Sequence, residues 1–217
     1  MLNLLNSGWL VLVVNWEKNN MGNNKEYLKV MFGENSGADS GVKYKIGEVN
    51  IATHWNPKAY NPKDMGGFNF SVEDKIIRWL VRGDTIYKVT IPDDAEVIDC
   101  PSESAPHGVF RTNKIILSDP QKVTDSMALE LYKKSNLPTK SYFKAMAGCA
   151  VRGHINTAIK IFNDKVNKNN VDLALNEFID FCTDKETKNF NEEYLDVNNT
   201  QLYQMLLNLK NNNSNSK

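Results

Sequence analysis

Along the first half of the chain apolar and polar residues alternate, and from Thr124 onward apolar residues recur every three to four positions. The first regime predicts strands and the second predicts amphipathic helices. Strands are expected at residues 27–32, 49–53, 86–91, 96–100, 109–112 and 114–117, where β-branched and aromatic side chains cluster. Residues 42–46 alternate as well, with Val42, Tyr44 and Ile46 facing one way, and Ser118-Asp119-Pro120 reads as the stop after the last strand.

The stretch 65–117 carries the densest signals. Gly66-Gly67 marks a turn, and Phe68-Asn69-Phe70 alternates like a half-buried strand. Ser71 with Asp74 three residues on resembles a capping box, which starts a helix expected over 71–82 and ended by Gly83. Ile76, Ile77 and Leu80 share a face of that helix. Trp79 and Tyr87 are expected to be buried with Ile77 and Val89, holding helix to sheet.

Helical spacing then covers 124–135, 139–152, 155–168, 171–184 and 190–209, with Thr124 and Thr139 as N-caps and Gly153 as a break. The fold class is α+β: a small, mainly antiparallel sheet with one packed helix, followed by a C-terminal helical bundle. The organisation is an α+β domain over 21–120, a helical region over 121–209, and an Asn/Ser tail over 210–217 expected to be disordered. Before them, residues 1–20 hold one apolar run, Trp9 to Val14, too short to cross a bilayer. They read as an upstream extension or an edge segment, with the natural start expected at Met21.

Charge and cysteine content narrow the function classes. Lys plus Arg equals Asp plus Glu at 26 each, so nothing global draws the chain to nucleic acid or an anionic membrane. Cys100, Cys149 and Cys182 are scattered, without a CxxC pair, and read as reduced thiols in a cytoplasmic protein. His54, His107 and His154 have no metal-ligand spacing, and no metal site is expected. There is no Gly-x-Ser-x-Gly nucleophile elbow and no phosphate-binding loop. Asp93-Asp94 follows Pro92 as turn chemistry.

Gly66-Gly67-Phe68-Asn69-Phe70-Ser71, Trp79-Leu80, Gly83-Asp84, Tyr87-Lys88-Val89-Thr90-Ile91-Pro92 and Lys114-Ile115-Ile116-Leu117 together resemble small proteins of low-GC bacteria and their phages. More remotely, over about residues 27–120, they resemble the core of the ADP-ribosyltransferase-like fold. That resemblance implies transfer of ADP-ribose from NAD. An Arg or His on an early strand would hold the dinucleotide, a role open to Tyr44 or His54, and Phe70 and Ser71 match the middle, cofactor-binding element. A late-strand Glu would stabilise the oxocarbenium-like transition state. Residues 111–117 contain no Glu, and the nearest is Glu96. The implied site is therefore Glu96 and His54 as catalytic residues, with Tyr44, Phe70 and Ser71 against the cofactor. The missing late-strand Glu favours a non-catalytic binding or inhibitor-type protein with a protein partner, phage- or mobile-element-encoded, without cofactor. The alternative is an NAD-dependent ADP-ribosyltransferase acting on a protein or nucleic acid.

Overall fold

Seven strands form a single sheet: β1 (Tyr27–Met31), β2 (Val49–Ile51), β3 (Phe68–Val72), β4 (Thr85–Thr90), β5 (Val97–Asp99), β6 (Val109–Thr112) and β7 (Lys114–Lys122). Their order is β2-β7-β4-β1-β3-β6-β5, and every neighbouring pair is antiparallel. Among the described residues the helices are α1 (Pro62–Met65), α2 (Glu73–Ile76), α3 (Asp125–Lys134), α4 (Thr139–Val151), α5 (Ile155–Lys165), α6 (Val171–Thr183) and α7 (Gln201–Ser214). A 3-10 turn, Ile77–Arg82, continues α2. The computed structural model describes residues 26–35, 42–59, 62–100, 107–183 and 200–214. Residues 1–20 and Met21 lie outside the described residues, as do positions 215–217 of the tail.

The connection between β6 and β7 dictates the shape of the sheet. These strands are separated in the order by β4, β1 and β3, roughly 19 Å in a flat sheet. Only Asn113 joins Thr112 to Lys114, and two residue steps reach at most about 7 Å. The sheet therefore folds over on itself. Its crease is the β1–β3 seam, which holds only two registered pairs, Tyr27↔Val72 and Leu28↔Ser71. Asn113 closes the opposite rim. Its carbonyl accepts from the Ala52 N–H (2.9 Å), its own N–H donates to the Glu96 carbonyl (3.3 Å), and its side-chain oxygen accepts from the Glu96 N–H (2.8 Å).

Strand alternation then sorts the core into three. Between the two leaves lie Met31, Tyr44, Phe68, Phe70, Tyr87, Val89, Val97, Ile115 and Leu117. The outer face of the β1–β4 leaf (Leu28, Val30, Ile86) packs on the helices, around α4 with Phe143, Met146 and Cys149 fully buried. Outside the β3–β6–β5 leaf a small cluster of Ala59, Met65 and Ile98 is backed by Trp55 and Cys100. Tyr87 and Val89 thus face away from the helices, and Trp79, half-buried in the helical core beside Ile77, never meets them. Period 2 in β4 is the reason: Ile86 is the residue turned to the helical side.

Several local expectations change for equally local reasons. Ser71 is the fourth residue of β3, not a cap. Its hydroxyl donates to the carbonyls of Gly108 (3.0 Å) and Val72 (3.2 Å), and α2 starts after Val72 with no side-chain cap. Pairing of Ser71 with Val109 of β6 holds it in the strand. Residues 42–46 form no strand; Lys43 makes a single bridge to Asn35, while Tyr44 turns inward. β7 runs past Asp119-Pro120 to Lys122, because a bulge opposite Ile86 and Lys88 of β4 absorbs an extra residue there. Asp119 takes φ 54° at that bulge and its carboxylate pairs with Lys88 (3.0 Å). Pro138, not Thr139, is the N-cap of α4, whereas Thr124 caps α3 by accepting from Met127 N–H. Gly153 breaks α4 from α5 at φ +78°. α7 continues through Ser214, past the boundary at 209.

One cap is supplied between helices. The carboxylate of Asp125, first residue of α3, accepts from the Asn156 N–H (3.0 Å), the Thr157 N–H (3.0 Å) and the Thr157 hydroxyl (2.6 Å) in the first turn of α5. Burial pushes the Asp125 pKa up, but the hydrogen bonds from Thr157 and Asn156 outweigh it and hold the group below its ordinary value. Asp125→Ala is expected to lower stability by about 0.5–2 kcal/mol at neutral pH, the range for losing a cap. Because the folded pKa is depressed, this contribution is present above the ordinary carboxylate range and disappears as pH falls through the folded value. Urea unfolding of both proteins across pH 3 to 7 checks it: the difference should shrink toward the acid end.

Candidate functional site

The loop before β3 is built around two glycines. Gly66 and Gly67 both take φ +70°, and a Cβ on Gly66 would sit 2.4 Å from the His54 carbonyl oxygen. A Cβ on Gly67 would meet the Thr112 carbonyl and the Trp55 ring at 2.6 Å. Only glycine permits the chain to pass there. Trp55 bridges to Gly66, Gly67 N–H donates to the His54 carbonyl (2.9 Å), and Arg111 of β6 ties the turn from below through Nη1 to the Gly66 carbonyl (2.6 Å).

This clamp places His54 and Glu96 on one exposed rim. The His54 Nε2–H donates to the Asp64 carbonyl (2.8 Å), a bond that fixes the tautomer with its proton on Nε2. The Trp55 indole N–H donates to Glu96 Oε2 (2.6 Å). Tyr44, Phe70 and Ser71 sit elsewhere, at 4%, 3% and 2% exposure. The Tyr44 ring packs on Phe68 (5.4 Å between centroids), and Phe70 stacks on Phe110 (5.2 Å) and meets Tyr27 edge-on. Both belong to the core between the leaves. The β3–β6–β5 leaf therefore stands between Tyr44 and Phe70 on its inner face and the Trp55 rim on its outer side.

Lys29 is not marked as a site residue by periodicity. It is the one charged residue in Tyr27-Leu28-Lys29-Val30-Met31, a strand otherwise apolar, and that interruption was the available signal. Lys29 is 3% exposed. Beyond Leu28 the pairing of β1 with β3 stops, and the Lys29 ammonium reaches across the opening to the Asn69 carbonyl (2.7 Å) and side-chain oxygen. The Tyr44 ring lies 5.4 Å from it. A buried charge this close to a missing ladder bond does the work of that bond. Burial, and then repulsion from Arg111 and Arg82, lowers the Lys29 pKa to about 7. Near neutral pH it is therefore divided between ammonium and amine, and either form can donate to Asn69.

His107 and His154 complete the histidines. His107 Nδ1 lies 3.1 Å from Asp99 on the surface, and His154 is buried where α4 turns into α5. Among the described residues no three His, Cys, Asp or Glu side chains gather in a way that would hold a metal ion, and no helix is long and apolar enough to cross a membrane. Cys149 and Cys182 are buried free thiols, and burial pushes Cys182 up to about 12 and Cys149 higher still.

Lys29 makes a test of this corner. The unfolded chain keeps its proton to about pH 10.5, while the folded chain releases it near 7. Between those values the unfolded state binds more protons, so stability rises with pH. In denaturant titrations from pH 6 to 9, the wild type is expected to gain stability steadily. Lys29→Met should lose that slope; an equal slope in both would show that the amine does not titrate there.

Comparison of the chain with family models, curated proteins and solved structures found no match.

Proposed function

We propose that this chain is a non-catalytic binding protein of the inhibitor type, phage- or mobile-element-encoded, on a scaffold resembling the ADP-ribosyltransferase-like fold. The observation that carries the reading is the filling of the space between the leaves. Tyr44, one of the residues expected against the cofactor, is covered by Phe68, and Phe70 is closed in by Phe110 and Tyr27. The Ser71 hydroxyl is spent on backbone carbonyls. Glu96 sits on the outer rim, across the leaf from Tyr44 and Phe70, its carboxylate accepting from the Trp55 indole N–H.

A protein partner fits the other end of the sheet. β2 is an edge strand, and Val49 and Ile51 project from one face of it at 47% and 66% exposure. Ile116 of β7 lies beside Val49 on that same face. The helices pack over β1 and β4 and leave these side chains uncovered. Apolar side chains displayed on an edge strand favour strand addition or apolar docking by another chain.

The enzymatic alternative is tested directly by incubating the protein with millimolar NAD and candidate targets and measuring nicotinamide release. No release above buffer is expected. Release that Glu96→Gln abolishes would overturn the binding-protein reading. In parallel, affinity capture with the intact chain should recover a protein that the Val49→Asp/Ile51→Asp variant fails to recover. Those surface changes should shift stability by no more than about 0.5 kcal/mol.

A further inference from the structure

The 3-10 turn that follows α2 carries Arg78, Trp79 and Arg82 on the helical side of the molecule. The Arg78 guanidinium carbon lies 5.0 Å from the Trp79 ring centroid and 6.0 Å from that of Phe181 on α6, and Arg82 lies 4.9 Å from the same indole. The three-residue repeat of a 3-10 turn brings Trp79 and Arg82 onto one line. Two arginines thus share one aromatic ring.

The hydrogen bonding of this stack is incomplete. The Nε–H of Arg78 and the Nε1–H of Trp79 are both shut off from solvent and have no acceptor among the described residues. A buried N–H left unpaired costs about 1–3 kcal/mol, more when the group is charged. Two such donors on adjacent residues mark a place where an acceptor is missing. The carboxylate that acts on Arg78, Glu177 of α6, does not supply it: Glu177 is paired with Lys140 (2.9 Å) and Lys144 (3.8 Å) of α4. Burial and then the neighbouring Arg82 push the Arg78 pKa down to about 10, with Glu177 pulling the other way, so the guanidinium stays charged at neutral pH. Both side chains are half-buried as wholes, whereas their two orphaned donors have no solvent contact.

We propose that Arg78 and Trp79, with Arg82 beside them, form a binding site for a small phosphate-bearing ligand, the phosphate oxygens accepting from Arg78 Nε–H and Trp79 Nε1–H. A planar guanidinium presents a fork of donors that matches a tetrahedral oxyanion, and a second cation over the same ring suits a dianion better than a single carboxylate. The Trp79 and Phe181 rings lie 5.0 and 6.0 Å from the Arg78 guanidinium carbon. This inference is independent of the binding-protein reading, since it concerns the helical layer and not the sheet.

Inorganic phosphate and pyrophosphate are the probes, each titrated into the full chain at constant ionic strength and followed by tryptophan fluorescence and calorimetry. Sodium sulfate separates recognition of phosphate from that of any oxyanion, and sodium chloride controls for salt. Saturable binding by phosphate or pyrophosphate is expected, with Arg78→Gln weakening it about tenfold or more. Trp79→Phe, read by calorimetry, should weaken it several-fold. Arg78→Lys keeps the charge without the fork and should also bind more weakly while unfolding at the temperature of the wild type, which separates lost binding from lost structure. No saturable response up to ~10 mM ligand, a range reaching well into weak affinities, would overturn the proposal. So would equal binding of chloride, binding of sulfate as tight as phosphate, or wild-type affinity in both Arg78 variants.

Discussion

The single residue between β6 and β7 is the constraint from which most of this architecture follows. Asn113 leaves no slack, so two strands four places apart in the sheet must meet at one rim, and the sheet has to crease somewhere to let them. It creases at the weakest ladder, β1 against β3. Once folded, the inner faces of both leaves are dry and must be apolar, and the two outer faces need separate covers. The helices supply one cover, and Trp55, Ala59 and Met65 the other. Asn113 satisfies backbone groups on both leaves, so a short polar residue at the joint costs nothing in unpaired hydrogen bonds.

The crease also explains why a lysine sits in the core. Where β1 and β3 part, backbone groups of β3 lose their natural partners, and a side chain long enough to span the opening is needed. Lys29 has that length and three donors in its charged form. Its position under Tyr44 and near Arg111 links the interior to the glycine turn that Arg111 secures. The same region that the resemblance points to as a cofactor site is thus occupied by groups that hold the crease together.

Period was the strongest signal in the chain, and it located the switch from sheet to helices correctly at Thr124. The α+β class, the antiparallel strands, four of the helices and the 201–209 part of a fifth follow from it; positions 190–199 lie outside the described residues. Face assignment was less legible. Tyr87 and Trp79 look like partners because strand and helix are adjacent in sequence, but a creased sheet has two buried faces, and alternation alone does not say which of them a residue occupies. Ser71 misled for a related reason: Ser before an acidic residue suits a helix start, yet its pairing with a strand distant in sequence decided its conformation. Glu96 and His54 came out near each other on the rim around Trp55, while Tyr44 and Phe70 went to the interior; nothing local distinguishes an aromatic residue that lines a cleft from one that fills it. The orphaned donors of Arg78 and Trp79 are visible only when neighbours distant in sequence, Phe181 and Glu177, are in place.

The carboxylate that α3 lends to α5 has a kinetic counterpart. The amide protons of Asn156 and Thr157 are held by the Asp125 carboxylate, so their release is coupled to parting of the contact between the starts of α3 and α5. A helix normally frays from its own first turn, independently of its neighbours. Here the start of α5 and the start of α3 open together, which makes the two helices a single cooperative unit of local unfolding. Tyr132 of α3, hydrogen-bonded to Asp164 near the far end of α5 (2.9 Å), ties the same pair at its other extremity. Amide exchange in the helical layer should accordingly report one shared opening rate for both helices, while the edge strand β2 exchanges on its own clock.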